Sequence, residues 1–284
     1  MIQDITPHIL KNQYTKIEAK EDDYLIFFQG REVLCLFDEN KHPHIPRFKD
    51  LKEWNIDLYD HDIFLFSLDE NPYFLVSHLH IPENQNFSYM EIKEFLDLSK
   101  RHRGFAAVTA FQLSNWYQNH RFCGKCGHEF IHSNKERMLH CENCGNMEYP
   151  KLAPAVIVGI RNGDYLLMTK YRGRTTGYYA LVAGFAEIGE TIEETVQREV
   201  MEEVGLKVKN ITYYKSQPWG LTDTLLFGFY VDVDGDDTIT LDEEELAVGE
   251  WIHYKDIDPT RKHYSLTSEM IQRFRKQKEN SADK

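Results

Sequence analysis

Residues 184–206 read GFAEIGETIEETVQREVMEEVGL, and this stretch decides the fold of the second half of the chain. Thr191 followed three residues later by Glu194 forms a capping box, and Gly205 is a typical helix stop. The sequence therefore predicts a helix from about Ile192 to Val204. At helical spacing one stripe of this helix is apolar and predicts a core-facing side, made by Ile192, Val196, Val200 and Val204.

Glu199 and Glu203 fall within the same apolar stripe. A carboxylate that faces a low-dielectric interior is costly unless it is neutralised or paired, and two of them one turn apart also repel each other. A bound cation removes both costs, and Glu202 adds a third carboxylate at the edge of this face. Because Mg²⁺ and Mn²⁺ prefer oxygen ligands, the helix predicts a metal site for phosphate chemistry. The alternative is a solvated acidic helix, but a separate polar face already exists at Glu193, Glu194 and Gln197.

Two CxxC pairs form the second strong pattern, since fourteen residues separate Cys123 and Cys126 from Cys141 and Cys144. This spacing is typical of a structural zinc ribbon, in which four thiolates leave the ion no open position for chemistry. Disulfides or a redox CxxC are the alternatives. They are disfavoured because the sequence shows no signal peptide and cytosolic thiols stay reduced.

Several neighbours of these cysteines have expected supporting roles. Glycines let the backbone turn tightly around the ion; they are Gly124, Gly127 and Gly145. Three nearby histidines are spare ligands that we expect to be solvated loop residues: His128, His132 and His140. Cys35, in the run VLCLF, is expected to be a small core residue.

The helix and its flanks resemble the complete Nudix box, matched by Gly184, Glu190, Arg198, Glu199, Val200, Glu202, Glu203, Gly205 and Leu206. The resemblance implies an α/β/α sandwich in which the box forms a loop, a helix and a loop. It implies that metals on the helix cleave a nucleoside diphosphate linked to another moiety. It also implies that Glu190 holds Arg198, whose guanidinium matches a carboxylate in two hydrogen bonds and helps to position the glutamates.

A zinc ribbon before the box and the motif SQPW at residues 216–219 resemble the NADH pyrophosphatase branch of this family. These enzymes split NAD(H) into nicotinamide mononucleotide and AMP, and some members remove NAD caps from RNA. The resemblance covers approximately residues 100 to 275. After SQPW the branch usually continues with Pro-Phe-Pro, any residue and Ser, whereas residues 220–224 here read GLTDT. The missing prolines remove a rigid loop that would be ready-made for a dinucleotide.

Individual site residues are carried over from the resemblance. The catalytic set comprises Glu199, Glu202, Glu203, Arg198 and Glu190, with Glu202 binding metal or helping to activate water. The ligands of Mg²⁺ or Mn²⁺ are Glu199, Glu203, Glu245 and the carbonyl of Ala183. The substrate contacts are two rings, Phe185 and Tyr149, and five further positions: Glu136, Gln217, Trp219, Thr224 and Thr267.

Two of these assignments have plain structural alternatives. Trp219 is alternatively a core residue, although its place between Pro218 and Gly220 suggests a loop. Glu245 ends an acidic run that would ordinarily just face solvent.

The predicted function is hydrolysis of the NAD(H) pyrophosphate to NMN(H) and AMP by a metal-activated water. Two rival functions remain. One is another Nudix specificity, for ADP-ribose, FAD, a dinucleoside polyphosphate or NAD-capped RNA. The other is a non-catalytic nucleotide sensor, which has no need to retain all three box glutamates.

Composition agrees with a cytoplasmic enzyme of about two domains, with 284 residues and 42% hydrophobic content. No apolar stretch approaches the roughly 20 residues that cross a bilayer. A net charge of −13 gives no general attraction to nucleic acid or anionic lipid. The resemblance implies a homodimer with the active site near its interface.

The predicted fold class is α+β, with a Nudix sandwich preceded by a zinc ribbon and a smaller β-rich N-terminal domain. The expected domains are an N-terminal β-rich domain at 1–100, a linking helix at 101–120, the ribbon at 121–150, the Nudix domain at 151–278 and a tail at 279–284. The N-terminal strands are predicted at DYLIFF, EVLCLF, DIFLFSL and PYFLVSHL, followed by a helix at EIKEFLDLSK. The later elements are a hairpin of AVIVGI and DYLLMTKY turning at residues 161–163, a strand at LLFGFYVDV and a last helix through Leu266, Met270, Ile271 and Phe274.

Overall fold

The computed structural model describes residues 1–54, 62–77, 79, 87–173, 178–260 and 264–282. The chain divides into two compact units. The first, called here the N-terminal unit, holds residues 2–151 together with 220–223. The second, called the C-terminal unit, holds Met1 with residues 152–219 and 224–284.

The N-terminal unit begins with short strands in two sheets, as expected from its aromatic and branched runs. The strands are β1 (Leu10–Lys11), β2 (Tyr24–Ile26), β3 (Phe28–Gln29), β4 (Glu32–Phe37), β5 (Pro43–His44), β6 (Asp62–Leu68), β7 (Asn71–Val76) and β8 (Ser88–Glu91). One sheet has the order β1-β6-β7-β2, and the other runs β3-β4-β5 with β8 also paired to β4. A 3-10 helix, Phe48–Trp54, covers a core that includes Leu25, Leu34 and Phe74.

The predicted N-terminal strands agree with this arrangement in two cases and need correction in the others. EVLCLF is β4 and DIFLFSL is β6. DYLIFF splits into β2 and β3, and β7 ends at Val76, while residue 78 of the run PYFLVSHL lies outside the described residues. The sequence missed β1, β5 and β8, because such short strands are hard to recognise from alternation.

Two helices lead from these sheets toward the cysteine pairs: α1 (Ile92–Leu98) and α2 (Arg101–Asn119). Both were predicted, and α2 agrees with the expected linking helix at 101–120 to within one residue. A Cβ added at Gly104 would lie 2.8 Å from Leu96 Cδ1, so glycine permits the close contact between the helices. Cys35 is fully buried, as predicted for a core residue, and burial raises the pKa of its thiol to about 11.

The cysteine pairs form two similar knuckles beside a small sheet of β9 (Ile131–His132), β10 (Leu139–His140) and β11 (Met147–Glu148). In each knuckle a glycine N–H donates to the carbonyl of the first cysteine: Gly127 to Cys123 at 2.8 Å and Gly145 to Cys141 at 2.9 Å. These glycines have φ of +76° and +70°, a region that favours glycine. Gly124 also lies in a turn, but its φ is not positive, so the backbone conformation there does not require glycine.

The four cysteine sulfurs lie within 4.8 Å of one another. Cys123 Sγ is 3.6 Å from Cys144 Sγ, and Cys126 Sγ is 3.4 Å from Cys141 Sγ. Tetrahedral Zn²⁺ with bonds of about 2.3 Å separates its thiolates by about 3.8 Å, so the donor set fits zinc. The spare histidines His132 and His140 lie in β9 and β10, which corrects their expected place in loops.

The C-terminal unit is built on a six-stranded mixed sheet. Its strands are β12 (Ala153–Asn162), β13 (Tyr165–Tyr171), β14 (Val182–Phe185), β15 (Val208–Trp219), β16 (Thr224–Val233) and β17 (Leu246–His253). The order is β15-β16-β12-β13-β17, and β14 pairs with β12. Strand β12 is parallel to β16 and antiparallel to β13 and β14, which makes β12 the centre of the sheet.

Helices α3 (Ile192–Val204) and α4 (Leu266–Ala282) cover opposite faces of this sheet. Val156 and Val158 share a buried cluster with α3, whereas Ile157 between them belongs to the cluster of α4. This alternation, which follows from the two-residue repeat of a strand, confirms the α/β/α sandwich. None of the described helices combines the length and apolarity that a bilayer crossing requires.

Three predicted details of this unit need correction. Asn162 pairs with Tyr165, so the hairpin turn consists of Gly163 and Asp164 and does not include residues 161 and 162. Helix α4 continues to Ala282, four residues into the expected tail. The motif SQPW forms the last four residues of strand β15, and Trp219 pairs with Thr224 of β16. Trp219 therefore lies in a strand and not in the predicted loop.

We predict that zinc removal unfolds the ribbon, because the ion holds the two knuckles together and the apolar cluster around Phe130 and Leu139 is small. A strong chelator should release about one zinc per chain and lower the first unfolding transition in calorimetry. Cys141→Ser should have the same effect, whereas Cys35→Ser, the matched control away from the cluster, should retain full zinc content. Unchanged thermal unfolding after complete zinc loss would contradict this prediction.

Candidate active site

Helix α3 begins and ends where the sequence predicted. Thr191 Oγ1 accepts a hydrogen bond from the Glu194 N–H at 3.3 Å, and Glu194 Oε2 accepts one from the Thr191 N–H at 2.8 Å. At the other end Gly205 has φ of +70°, and its N–H donates to the Met201 carbonyl at 3.0 Å. Both caps are local, so the phase of the helix follows from the sequence.

This phase turns two glutamates toward the sheet. Glu203 is only 2% exposed and lies beside Val200 and Val204, which are fully buried. The Glu199 side chain is 12% exposed, whereas that of Glu202 is 57% exposed. The helix therefore presents two sheltered carboxylates and one accessible carboxylate on adjoining positions.

The space around Gly184, the third residue of strand β14, explains why this position is a glycine. A Cβ added there would lie 1.9 Å from Glu199 Cδ and 2.1 Å from both carboxylate oxygens. No side chain tolerates such a contact, so the Glu199 carboxylate occupies the space that any other residue would fill. Glycine at this position makes room for the carboxylate against β14.

Arg198 connects helix α3 to the loop before it through hydrogen bonds. Its Nε and Nη2 donate to the two oxygens of Glu190 at 2.6 and 3.0 Å, a bidentate pair. Its Nη1 donates to Glu199 Oε1 at 2.7 Å and to Glu202 Oε2 at 2.9 Å. Nη2 also donates to the Phe185 carbonyl at 2.8 Å. One guanidinium therefore fixes three carboxylates and the turn before the helix, as the resemblance implied for Arg198 and Glu190.

Glu190 is itself held by several donors. The Arg198 guanidinium, the Glu187 N–H and the Thr195 hydroxyl hold the pKa of its carboxyl at about 2. Thr195 Oγ1 donates to Glu190 Oε2 at 2.9 Å and is fully buried. Thr195 was not predicted as a site residue, although its place directly before the apolar Val196 is a signal that could have identified it.

Glu203 is the least satisfied polar group of the site. Its Oε1 accepts a hydrogen bond from the Ala183 N–H at 3.3 Å, while its Oε2 is buried without a hydrogen-bond partner. Burial, followed by the charges of Glu199 and Glu245, raises the pKa of Glu203 to about 8. Burial also raises the pKa of Glu199. A hard divalent cation would satisfy both carboxylates, so this donor set fits Mg²⁺ or Mn²⁺.

Glu245 lies in an exposed turn just before β17, and its charge acts on both Glu199 and Glu203. The turn is tied to the end of α3, because the Asp242 N–H donates to the Glu203 carbonyl at 3.0 Å. Across the described ranges, the cysteines alone form a metal-binding group with all ligand atoms within 4.8 Å. The carboxylate oxygens of Glu199, Glu203 and Glu245 are therefore farther apart than the sulfurs of the cysteine cluster.

The predicted substrate residues of the C-terminal unit fall into exposed and buried groups. Phe185 is 55% exposed, and Trp219 is half-buried with its ring parallel to that of Tyr264, at 6° and 6.3 Å between centroids. Thr224 is buried, and Thr267 is half-buried in the first turn of α4. The two rings are available to a ligand, whereas the Thr224 side chain is not exposed.

Gln217 has a structural place that the sequence did not predict. The residue is fully buried, its Nε2 donates to the Tyr264 carbonyl at 3.0 Å, and its Oε1 accepts from the Leu266 N–H at 2.7 Å. It thereby satisfies a backbone N–H at the start of α4, which would otherwise lack an intrahelical partner. Its side chain is engaged within the protein and does not face outward.

Glu136 and Tyr149 belong to the N-terminal unit, next to the zinc knuckles. Both are exposed, and the Tyr149 hydroxyl donates to Glu136 Oε1 at 3.4 Å. The structure therefore brings together two residues that lie thirteen positions apart and that the resemblance placed on the ligand.

Comparisons with known proteins agree with these features. Residues 151–274 match the NUDIX domain family, and residues 118–149 match the NADH pyrophosphatase zinc ribbon domain. A protein named NAD-capped RNA hydrolase NudC from Enterobacter sp. (strain 638) is 39% identical over 177 residues, covering 62% of this chain and 68% of that protein. The protein of the same name from Photorhabdus laumondii is 39% identical over 161 residues, covering 57% of this chain and 62% of its own length.

The Shigella flexneri protein of that name is 42% identical over 146 residues, covering 51% of this chain and 56% of its own length. The chain thus spans about three fifths of the length of these last two relatives. A crystal structure of a NUDIX hydrolase from Nitrosomonas europaea superposes with a TM-score of 0.47 at 19% identity, covering 56% of this chain and 93% of that one, a similarity too weak to bear on function. From its two domain matches and its relatives, the chain belongs to the Nudix family and carries a zinc ribbon of the NADH pyrophosphatase type.

Proposed function

We propose that this protein hydrolyses the pyrophosphate of NAD(H) to NMN(H) and AMP in a reaction that requires a divalent cation. The observation that carries the proposal is the buried Glu203 carboxylate, whose Oε2 has no partner, next to Glu199 on the box helix. Without a bound cation, burial of the Glu203 carboxyl group would cost free energy and would not stabilise the fold.

The residues that would hold Mg²⁺ or Mn²⁺ are Glu199, Glu203, Glu245 and the carbonyl of Ala183. When bound, the cation neutralises charge on the phosphate oxygens and makes a water molecule more acidic. Among the oxygens of the site, Glu203 Oε2 is free for this role because it accepts no hydrogen bond within the protein.

The chain itself contributes orientation. Arg198 holds one oxygen of Glu199 and one of Glu202, so neither carboxylate needs to be ordered when the substrate binds. Glu202 Oε2 is engaged by Arg198, which leaves Oε1 of this exposed side chain to accept a proton from the attacking water. Water is the nucleophile, and the described site offers no serine or cysteine in its place.

Exposed rings support recognition of a nucleotide. In the C-terminal unit, Phe185 and the half-buried Trp219 present faces on which a nicotinamide or adenine ring can stack, and Tyr149 is an exposed ring of the N-terminal unit. Glu136 adds an acceptor for ribose hydroxyls. Thr267, half-buried in the first turn of α4, is the remaining predicted contact, whereas the side chains of Gln217 and Thr224 are buried inside the unit and make no contact with the ligand.

NAD-capped RNA is a second candidate substrate, because the relatives at 39–42% identity are named NAD-capped RNA hydrolases. The net charge of −13 disfavours binding along an RNA chain, so recognition would concentrate on the cap. We further infer a reducing, cytoplasmic location, since the ribbon needs four thiolates. The homodimer implied by the resemblance stays a prediction.

A substrate panel tests the proposal. We expect kcat/KM for NADH or NAD⁺ to exceed that for ADP-ribose, FAD and dinucleoside polyphosphates, with NMN(H) and AMP as the products in chromatography. NAD-capped RNA is included to compare the second candidate. A ranking with ADP-ribose far above both dinucleotides would overturn the proposal, and tight binding without product would favour a sensor.

We predict that Glu203→Gln reduces kcat by roughly two or more orders of magnitude, the scale of losing a key transition-state contact. The fold should persist, because glutamine is nearly isosteric and a neutral amide is cheaper to bury than a carboxylate. Steady-state kinetics with saturating Mn²⁺ provides the measurement, and circular dichroism checks the fold. Glu193→Gln, on the exposed face of the same helix, is the matched control and should retain wild-type turnover.

The raised pKa of Glu203 predicts a pH-dependent stability difference without added Mg²⁺ or Mn²⁺. Between the ordinary value of 4.5 and about 8, the folded protein keeps a proton that the unfolded chain releases, so rising pH favours unfolding. The Tm of Glu203→Gln should therefore exceed that of the wild type by an amount that grows from pH 5 to 8 and then levels off.

Added Mn²⁺ should raise the Tm of the wild type more than that of the variant, because only the carboxylate gains a partner. Differential scanning fluorimetry across this pH range gives the comparison, with Glu193→Gln again as the control. Parallel Tm profiles for the wild type and Glu203→Gln, with equal responses to Mn²⁺, would show that Glu203 neither titrates nor binds metal.

A further inference from the structure

The loop between β9 and β10 carries Glu136 at its tip. The Ser133 N–H donates to the Met138 carbonyl at 2.9 Å, and the Met138 N–H donates to the Glu136 carbonyl at 2.9 Å. These bonds close the loop, but the Glu136 side chain is exposed, and its contact with Tyr149 at 3.4 Å is long. The hydrogen bonds within the loop therefore define its backbone conformation, but they do not fix its orientation relative to the rest of the N-terminal unit.

Arg137, the next residue, connects this loop to the N-terminal sheets. Its Nη2 donates to the carbonyl of Leu65 in β6 and lies 3.4 Å from both the carbonyl and the side-chain oxygen of Asn12. Its guanidinium carbon lies 5.6 Å from the centre of the Tyr14 ring. One side chain thus contacts two separate segments of the N-terminal sheet region.

Residues near Asn12 also bind the start of the loop. The Tyr14 hydroxyl donates to the Ser133 carbonyl at 2.9 Å, and Lys16 Nζ donates to Asn134 Oδ1 at 3.1 Å. Residues 12–16 therefore run beside the loop and contact its start, while Arg137 contacts them from its end.

Burying the Arg137 side chain costs free energy, so stability alone does not explain why an arginine holds this loop. Burial lowers its pKa, Tyr117 and Tyr14 act in the opposite direction, and none of the ion pairs among the described residues involves Arg137. A partly desolvated cation without a counter-charge costs free energy, which carbonyl acceptors and a ring face offset only in part. An apolar side chain would pack at lower cost, but it could not bind the carbonyls of Leu65 and Asn12, which Arg137 Nη2 connects to the loop.

We propose that Arg137 is a positioning residue, which anchors the ribbon loop to the N-terminal sheets and so fixes Glu136 for binding of the nucleotide. This inference rests on the proposed function, which places Glu136 on the ligand. It assigns the N-terminal sheet region an indirect role in substrate binding, through the Leu65 carbonyl and the segment 12–16 that hold the loop.

A double-mutant cycle tests the inference with NADH as the substrate. Arg137→Met should raise KM by roughly three- to tenfold, the size of one displaced hydrogen-bonding side chain, and leave kcat nearly unchanged. Glu136→Ala should raise KM at least as much. The double variant should be no worse than Glu136→Ala alone, because Arg137 acts through Glu136. Arg121→Met, at an exposed arginine paired with Glu129 at 3.1 Å, is the matched control and should leave KM unchanged.

Hydrogen exchange provides a second measurement that needs no turnover. Arg137→Met should speed exchange at the amides of Ser133 and Met138, which close the loop. The knuckle amides of Gly127 and Gly145, and the zinc content, should stay as in the wild type. Uniformly faster exchange throughout the ribbon would instead show a general structural role and would overturn the inference.

The possible failures are distinguishable. Additive effects of the two substitutions on KM would overturn the inference while leaving the proposed function intact. If Glu136→Ala leaves KM unchanged although NADH is hydrolysed, the inference fails because Glu136 has no ligand to bind. If the wild type does not hydrolyse NADH, the proposed function fails, and the exchange measurement still decides whether Arg137 anchors the loop.

Discussion

The rest of the site depends on the hydrogen bonds that the Arg198 guanidinium donates to the carboxylates around it. Arg198 meets Glu190 through two hydrogen bonds and reaches Glu199 and Glu202 with its remaining donor nitrogen. Carboxylates so close together would repel one another if they had no shared cation. The guanidinium compensates part of this repulsion and leaves Glu203, which it does not touch, as the group that most needs a metal ion.

The two metal environments of the chain differ for a physical reason. Four cysteine sulfurs lie close enough to enclose a small tetrahedral ion, and glycines with positive φ let the backbone turn around them. The box glutamates differ more in exposure, because Glu203 is buried, Glu190 and Glu199 are partly buried and Glu202 is exposed. Such an arrangement leaves room for phosphate oxygens and water in the coordination sphere, as Mg²⁺ and Mn²⁺ require. The first environment serves stability and the second suits chemistry.

Several predictions from the sequence needed the structure to correct them. Trp219 ends a strand because β16 pairs with it, and no local signal around SQPW reveals that partner. Gln217 was expected on the ligand, yet its carboxamide satisfies the backbone at the start of α4. The partner in this case lies about fifty positions away, beyond the reach of any motif. Arg137 was overlooked for the same reason, since its acceptors belong to β6 and residue 12.

The sequence by itself determined whatever depends on near neighbours along the chain. The capping box, the glycine stop and the 3.6-residue repeat fix the phase of α3, and that phase alone turns Glu199 and Glu203 inward. Cysteine spacing likewise determined the zinc ribbon. Only the tertiary structure decided the rest: how strongly burial shifts the pKa of Glu203, why Gly184 must lack a side chain, and which segments hold the Glu136 loop. These properties arise from contacts between residues distant in sequence, whose free energies depend on packing and desolvation that no local pattern encodes.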